Sequence, residues 1–139
     1  MKLEDINALV ENLQREWPIV EIVSFNELNI QEKLENLPYQ IIRFGEQFIK
    51  EKAKLAELNN MKTRLECKLY DKLKFNDARS LTKQEIVLYY LPNDVNVKKI
   101  VEAIDKQTVI VEYFETCTKA LDKMNWTIKI YIDDRKYNG

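Results

Sequence analysis

Histidine is absent from this 139-residue chain, so the side chain that most often moves protons near neutral pH is missing. Glycine occurs only twice, as Gly45 and Gly139. Two glycines so far apart cannot form a phosphate-cradling loop. With only three prolines as well, the chain is poor in the turn residues a β-sandwich needs, and the composition suits long helices. The two cysteines, Cys67 and Cys117, have neither CxxC spacing nor a histidine companion, which leaves out zinc and thioredoxin-type motifs. Both are expected to be reduced, with Cys117 packed beside Phe114 and Leu121. Long apolar runs are lacking too. No segment approaches membrane-spanning length, and Met1-Lys2-Leu3-Glu4-Asp5 opens without the apolar stretch of a signal peptide. An intracellular protein with no membrane contact is expected, in which the Asn125-Trp126-Thr127 sequon carries no meaning.

An excess of either charge is missing as well. Twenty-two basic residues face 23 acidic ones, which excludes binding to polyanions through bulk charge alone. The distribution is uneven, however. Residues 1–37 hold three basic and eight acidic side chains, residues 38–74 nine and five, and residues 75–139 ten and ten. The middle third is the candidate anion-binding segment, and the acidic N-terminal third a candidate self-masking or partner-binding one. Solvated helix charges are the plain alternative. Neighbouring carboxylates such as Asp133-Asp134 have no nucleophile to work with. No enzymatic activity, cofactor or metal is expected.

What the chain has is apolar residues at helical spacing. Leu3, Ile6, Leu9, Val10 and Leu13 predict a helix from about Leu3 to Glu16, ended by Pro18. Ile19 to Phe25 reads as a short apolar connector. A second helix is predicted over Asn26 to Asn36, capped by Asn26 or Ser24, with Pro38 in the first turn of the next. Leu34, Ile41, Phe48, Leu55 and Leu69 then fall on one seven-residue spacing, with Lys62 in the missing place. Leu37, Phe44, Leu58 and Leu65 fall on its companion, with Glu51 and Lys72 as exceptions. This heptad-like seam requires another helix, from the same chain or a neighbour. Asn76 to Ser80 is a polar break. Leu81 to Leu91 predicts a short helix stopped by Pro92. Asn93 or Asp94 then caps a second long helix with Val97, Val101, Ile104, Val111, Phe114 and Leu121 inward. Ile128, Ile130 and Ile132 alternate as a strand would, but no partner strand is evident, so this stretch is read as helix. The expected fold is all-α: one domain over residues 1–139, a long helical hairpin-like subunit plus shorter helices. Residues 1–75 form its N-terminal helices and residues 81–139 its C-terminal ones.

The cations of the long helix are the candidate site. At about 100° per residue, Arg43, Lys50, Lys54, Arg64, Lys68 and Lys72 fall within a sector of roughly 80°, a row able to follow a phosphate backbone. Glu46, Glu57 and Asp71 lie near the same sector and offer intrahelical ion pairs instead. Between Lys62 and Lys68 the one acid, Glu66, points away from the row. Lys62 lies on the apolar side. There it can cover the seam with its stem while its amine reaches water, or set register and oligomeric state. Lys62 and Arg64 point about 160° apart on a regular helix, so one subunit cannot easily hold one phosphate with both.

Met61-Lys62-Thr63-Arg64-Leu65 resembles the K-A-R-L element of the UvsY recombination mediators of T4-like phages, with threonine in place of alanine. Met1-Lys2-Leu3-Glu4-Asp5 resembles that family's opening M-R-L-E-D. Ala120-Leu121-Asp122, Trp126 to Lys129 with Ile128-Lys129, and Asp134-Arg135 resemble its A-L-D…(aromatic)-x-I-K…D-x-R close. The order, the spacing and the total length agree, so the resemblance spans the chain. It implies a non-enzymatic mediator that binds single-stranded DNA, contacts the phage single-strand-binding protein and helps load a RecA-like phage recombinase. It also implies a ring-like homo-oligomer of six or seven helical subunits assembled through the C-terminal region, acting in the cytoplasm of the infected bacterial host. By motif match it gives Lys62 and Arg64 the DNA-contact role. Lys54, Lys68 and Lys72 join them from helix geometry alone. The rival readings are a helical structural or adaptor protein that self-assembles without nucleic acid, and an enzyme whose composite site lies between subunits.

Overall fold

A computed structural model describes residues 1–138. Among them every regular element is helical: α1 (Leu3–Glu16), α2 (Ile19–Val23), α3 (Ile30–Phe75), α4 (Lys83–Glu85), a π-helical turn (Ile86–Tyr90), α5 (Leu91–Asn93) and α6 (Val95–Asn138). The chain divides into two compact units. Lys2–Lys52 together with the chain from Val109 onward makes a terminal unit, and Met1 with Ala53–Thr108 makes a middle unit. Both α3 and α6 contribute to each.

In the terminal unit, α1 begins with Glu4 and Asp5 in its first turn and ends with Arg15 in its last, charges that oppose the helix dipole at each end. Trp17 closes it, its N–H donating to the Leu13 carbonyl, and Pro18 starts the short α2. Asn26 then caps the way into α3. Its Oδ1 accepts from the N–H groups of Leu28 (2.9 Å) and Asn29 (3.0 Å), while Asn29 Oδ1 accepts from the Asn26 N–H at 2.7 Å. That reciprocal pattern satisfies donors a helix start leaves open.

The predicted break at Pro38 does not occur. Residues 26–36 do not form a separate helix, because α3 runs through the proline from Ile30. Pro38 has no N–H for the Leu34 carbonyl, and a proline inside a helix costs about 3 kcal/mol. Burial outweighs this cost. Leu37 and Phe44 are buried, and Leu34, Ile41 and Phe48 pack against the same core, each large apolar side chain contributing about 1.5–3 kcal/mol when fully buried. The first half of the predicted seam therefore meets its helix within the chain. Phe114, Cys117, Leu121, Met124 and Ile128 of α6 complete the core, with Leu13 of α1. Leu37 borders a groove with Met124 while Phe44 meets Phe114, so within this unit the two helices run antiparallel. Trp17 stands edge-on to both Phe44 and Phe114, with ring centroids 5.1 Å apart in each case. Tyr113 donates its hydroxyl to the Trp17 carbonyl at 2.6 Å, binding α6 to the α1–α2 corner. Ile128, read ambiguously from its alternation, is wholly buried on helix α6. Gly45 lies in α3 beside open space, where an added Cβ would meet nothing within 4 Å.

The middle unit has a smaller core. Leu81, Ile86 and Leu91 form it, with Leu69, Tyr70, Leu73 and Tyr90 packed around them. The predicted helix over residues 81–91 is instead a composite, and Pro92 lies inside α5 rather than stopping the helix ahead of it. The cause is the π turn, in which the Leu91 N–H reaches back five residues to the Ile86 carbonyl. Widening the spiral just before Pro92 gives the pyrrolidine ring room where a regular helix would clash. Of the two predicted caps for α6, Asp94 serves. Its Oδ2 accepts from the N–H groups of Asn96 (2.9 Å) and Val97 (3.1 Å).

Candidate nucleic-acid interface

The basic segment of α3 lies in the middle unit, and its cations do not all face one way. Arg64, Lys68 and Lys72 are exposed and four residues apart, so helical geometry stacks them on one face at intervals of about 6 Å. Lys54 is exposed as well and lies in line with this row toward the helix start, with an interaction of its own inside the chain. Asp71 is exposed beside the row and offsets part of its charge.

Lys62 is placed differently. Its side chain is 37% exposed and its Nζ lies 3.8 Å from Glu66 Oε1. It lines a groove with Glu66, Val97, Lys98, Glu102 and Asp105, where three carboxylates face two lysines. Glu66 does point away from Arg64 and Lys68, as expected, and in doing so it meets Lys62. The structure thus brings Arg64, Lys68 and Lys72 together and turns Lys62 to another side. Arg43, included in the predicted row, is engaged in the terminal unit. Its guanidinium sits 4.1 Å above the Trp17 ring, a cation–π contact, and it donates to Gln40 Oε1 at 3.4 Å.

Two apolar side chains on the row's own face escaped the charge-based reading. Met61 is 41% and Phe75 73% exposed. Met61, Arg64, Lys68, Lys72 and Phe75 follow the 3-4-4-3 spacing of one helix stripe, within a sector of about 80°. That spacing is visible in the sequence, but Met61 and Phe75 both lie off the apolar seam and carry no charge, so exposure is what singles them out.

The turn after α3 is built on charge. Asp77 accepts from Arg79 three times, from the N–H and Nε to Oδ1 at 2.8 and 2.9 Å and from Nη2 to Oδ2 at 2.8 Å. These bonds, the side-chain ones foremost, pull the Asp77 carboxyl from 3.8 down to about 2 and push the Arg79 guanidinium above its ordinary value. Arg79 also lies 4.7 Å over the Tyr90 ring, which docks the turn on the π-helical segment. Next to it Ser80 adopts a φ of 52°, the left-handed region that an L side chain enters only at a cost. In the terminal unit, burial pushes the Cys117 thiol up to about 11 and the Tyr113 hydroxyl up to about 12. Among the described residues no group of His, Cys, Asp and Glu is placed to hold a metal ion, and no helix is long and apolar enough to cross a membrane.

The arrangement is that of an all-α protein with one long helix presenting a cationic stripe. No family model and no curated protein matches the chain. Among solved structures, its fold is that of three crystal structures of the bacteriophage T4 recombination mediator protein UvsY. One, in lattice type IV, superposes with a TM-score of 0.75 at 17% identity over 100% of both chains. The lattice type I structure gives 0.77 at 15% identity, covering 92% of this chain and 99% of its own. Lattice type II gives 0.76 at 17% identity over 99% and 98%. The fold is UvsY-like from end to end.

Proposed function

We propose that this protein is a non-enzymatic recombination mediator that binds single-stranded DNA and helps load a RecA-like recombinase onto strands covered by single-strand-binding protein. The observation that carries this reading is the exposed row Arg64–Lys68–Lys72 on α3, in a chain folded like a recombination mediator. Cations at helical intervals neutralise phosphates without reading bases, which suits a protein that must act on any sequence. Three or four cations per subunit bind weakly by themselves. A ring of six or seven copies engages one strand at many points, and multivalency then supplies what net charge does not. In this assembly Lys62, facing the groove beside Glu66, meets DNA only where a strand passes that side of α3, as between neighbouring subunits. The partners that follow are single-stranded DNA, the recombinase and the single-strand-binding protein, in the cytoplasm of an infected bacterial host.

The test is anisotropy of a labelled single-stranded oligonucleotide across a salt series, with oligomer mass recorded on the same sample. A multimer that binds tightly and loses affinity with a log–log slope of about −0.7 per neutralised phosphate supports the proposal. Arg64→Ala and Lys68→Ala should each make that slope shallower, while Lys62→Ala should change it least. An intact multimer that ignores the oligonucleotide at low salt would instead leave a self-assembling helical adaptor. That second reading is favoured by exposed Ile42, Ile49, Trp126 and Ile130 in the terminal unit.

A further inference from the structure

We propose that Phe75 is a base-stacking position that completes the cation row on a single strand. The inference rests on the single-strand binding proposed above and adds what the bases do. An exposed aromatic at a helix end is ordinary in isolation. Two features set Phe75 apart. It is 73% exposed, whereas Tyr70 and Leu73 of the same helical turns pack onto the Leu81–Ile86–Leu91 cluster. It also lies on the stripe of Arg64, Lys68 and Lys72, less than one turn beyond the last cation, while Lys74 is drawn aside to donate to the Leu81 carbonyl at 3.3 Å.

Spacing and chemistry both suit an unpaired strand. Successive cations of the row stand about 6 Å apart along α3, close enough for flexible side chains to meet neighbouring phosphates of one strand. Bases of a single strand are not locked into pairs, and each can turn an apolar face outward. An aromatic ring in line with the phosphate contacts offers such a base a new stacking surface, and does so without regard to sequence. Exposed Met61 at the other end of the stripe adds a softer apolar contact. A strand held through its phosphates alone would make no such contact, so removing the bases distinguishes the two arrangements.

The experiment uses the full chain with labelled oligothymidine and an abasic oligomer of equal length, each titrated over a salt series. Wild type, Phe75→Ala, Phe75→Leu and Lys68→Ala are compared. Phe75→Ala should weaken oligothymidine binding by about fivefold or more at an unchanged salt slope, while Lys68→Ala flattens the slope. Phe75→Leu, which keeps apolar bulk without a π face, should lose affinity too. Wild type should prefer oligothymidine to the abasic strand, and Phe75→Ala should bind the two alike. Wild type that holds both strands equally, or a Phe75→Ala variant that binds oligothymidine like wild type with normal salt dependence, overturns the stacking role alone. Failure of wild type to bind either strand at low salt overturns the binding reading beneath it.

Discussion

The terminal and middle units draw on the same two long helices but hold themselves together by different means. In the terminal unit, Trp17, Phe44 and Phe114 interlock edge to face around a core that also buries Cys117, Leu121 and Ile128. The middle unit clusters Leu81, Ile86 and Leu91 as its core, buries Val97 besides, and adds a turn fastened by Asp77 and Arg79. Its α3 segment leaves Arg64, Lys68, Lys72 and Phe75 in solvent. A helix in a bundle has two uses for its surface, and every cation turned outward is a position that buries no apolar area. The unit that offers a binding face is accordingly the one with the thinner core.

The sharpest way to break this comparison is Phe114→Ala. Truncating a fully buried phenylalanine costs about 3–5 kcal/mol, enough to consume much of a domain's stability. Denaturant unfolding measures the loss. The cysteines report where it falls: Cys67 is exposed and Cys117 buried, so alkylation in the native state should take Cys67 promptly and Cys117 only on opening. Phe114→Ala should accelerate the second thiol and leave the first unchanged. If amide exchange over residues 81–93 sped up together with Cys117 alkylation, the two units would be one cooperative structure and the contrast would be lost.

A smaller effect is expected from Ile86→Val in the middle unit, at about 0.5–1.5 kcal/mol. Hydrogen exchange should show it first in the amides of residues 81–93, with Phe114 to Leu121 unaffected. Gly45→Ala works in the opposite direction. Its new Cβ meets nothing within 4 Å, so the terminal unit should gain up to about 1 kcal/mol from helix propensity, read as a raised melting temperature. The smallest effect concerns acid. Arg79 holds Asp77 at about 2 in the folded chain, below its ordinary 3.8. A lowered carboxyl stabilises the fold above its unfolded value and loses that contribution as pH falls through the folded one. The turn should therefore weaken between about pH 4 and pH 2. Arg79→Ala should return Asp77 to the ordinary carboxylate range in an NMR titration and remove that acid-dependent step.

Much of the architecture was legible because local chemistry and packing agreed. The span of α1, the Asn26 and Asp94 caps and the burial of Cys117 beside Phe114 and Leu121 all follow from residue type and spacing. The two prolines misled for one shared reason. Proline rules describe a helix alone, whereas Leu37 and Phe44 bury enough surface to carry α3 through Pro38, and a π turn makes room for Pro92. At the candidate site, the exposed row could be derived from helical angle. The same angle puts Lys62 on the apolar side, where the structure has it, but the carboxylates of Glu102 and Asp105 that share its groove come from α6 and depend on the tertiary fold. Phe75 lies off the seam and carries no charge, so neither the heptad pattern nor the cation count singles it out until its exposure is known.

Pro38 also bears on how α3 comes to be formed. A helix grows by adding one hydrogen bond at a time onto an existing turn, and at the proline that succession stops, because the Leu34 carbonyl has no N–H to receive. The eight residues from Ile30 to Leu37 are too few to persist as a helix by themselves. Their helical shape depends on docking Leu34 and Leu37 onto the core around Phe44 and Phe114. We expect these first two turns to form after that core, so that the helix continuous in the finished protein closes last at its N-terminal end. Leu37→Ala should then hasten unfolding far more than it slows refolding.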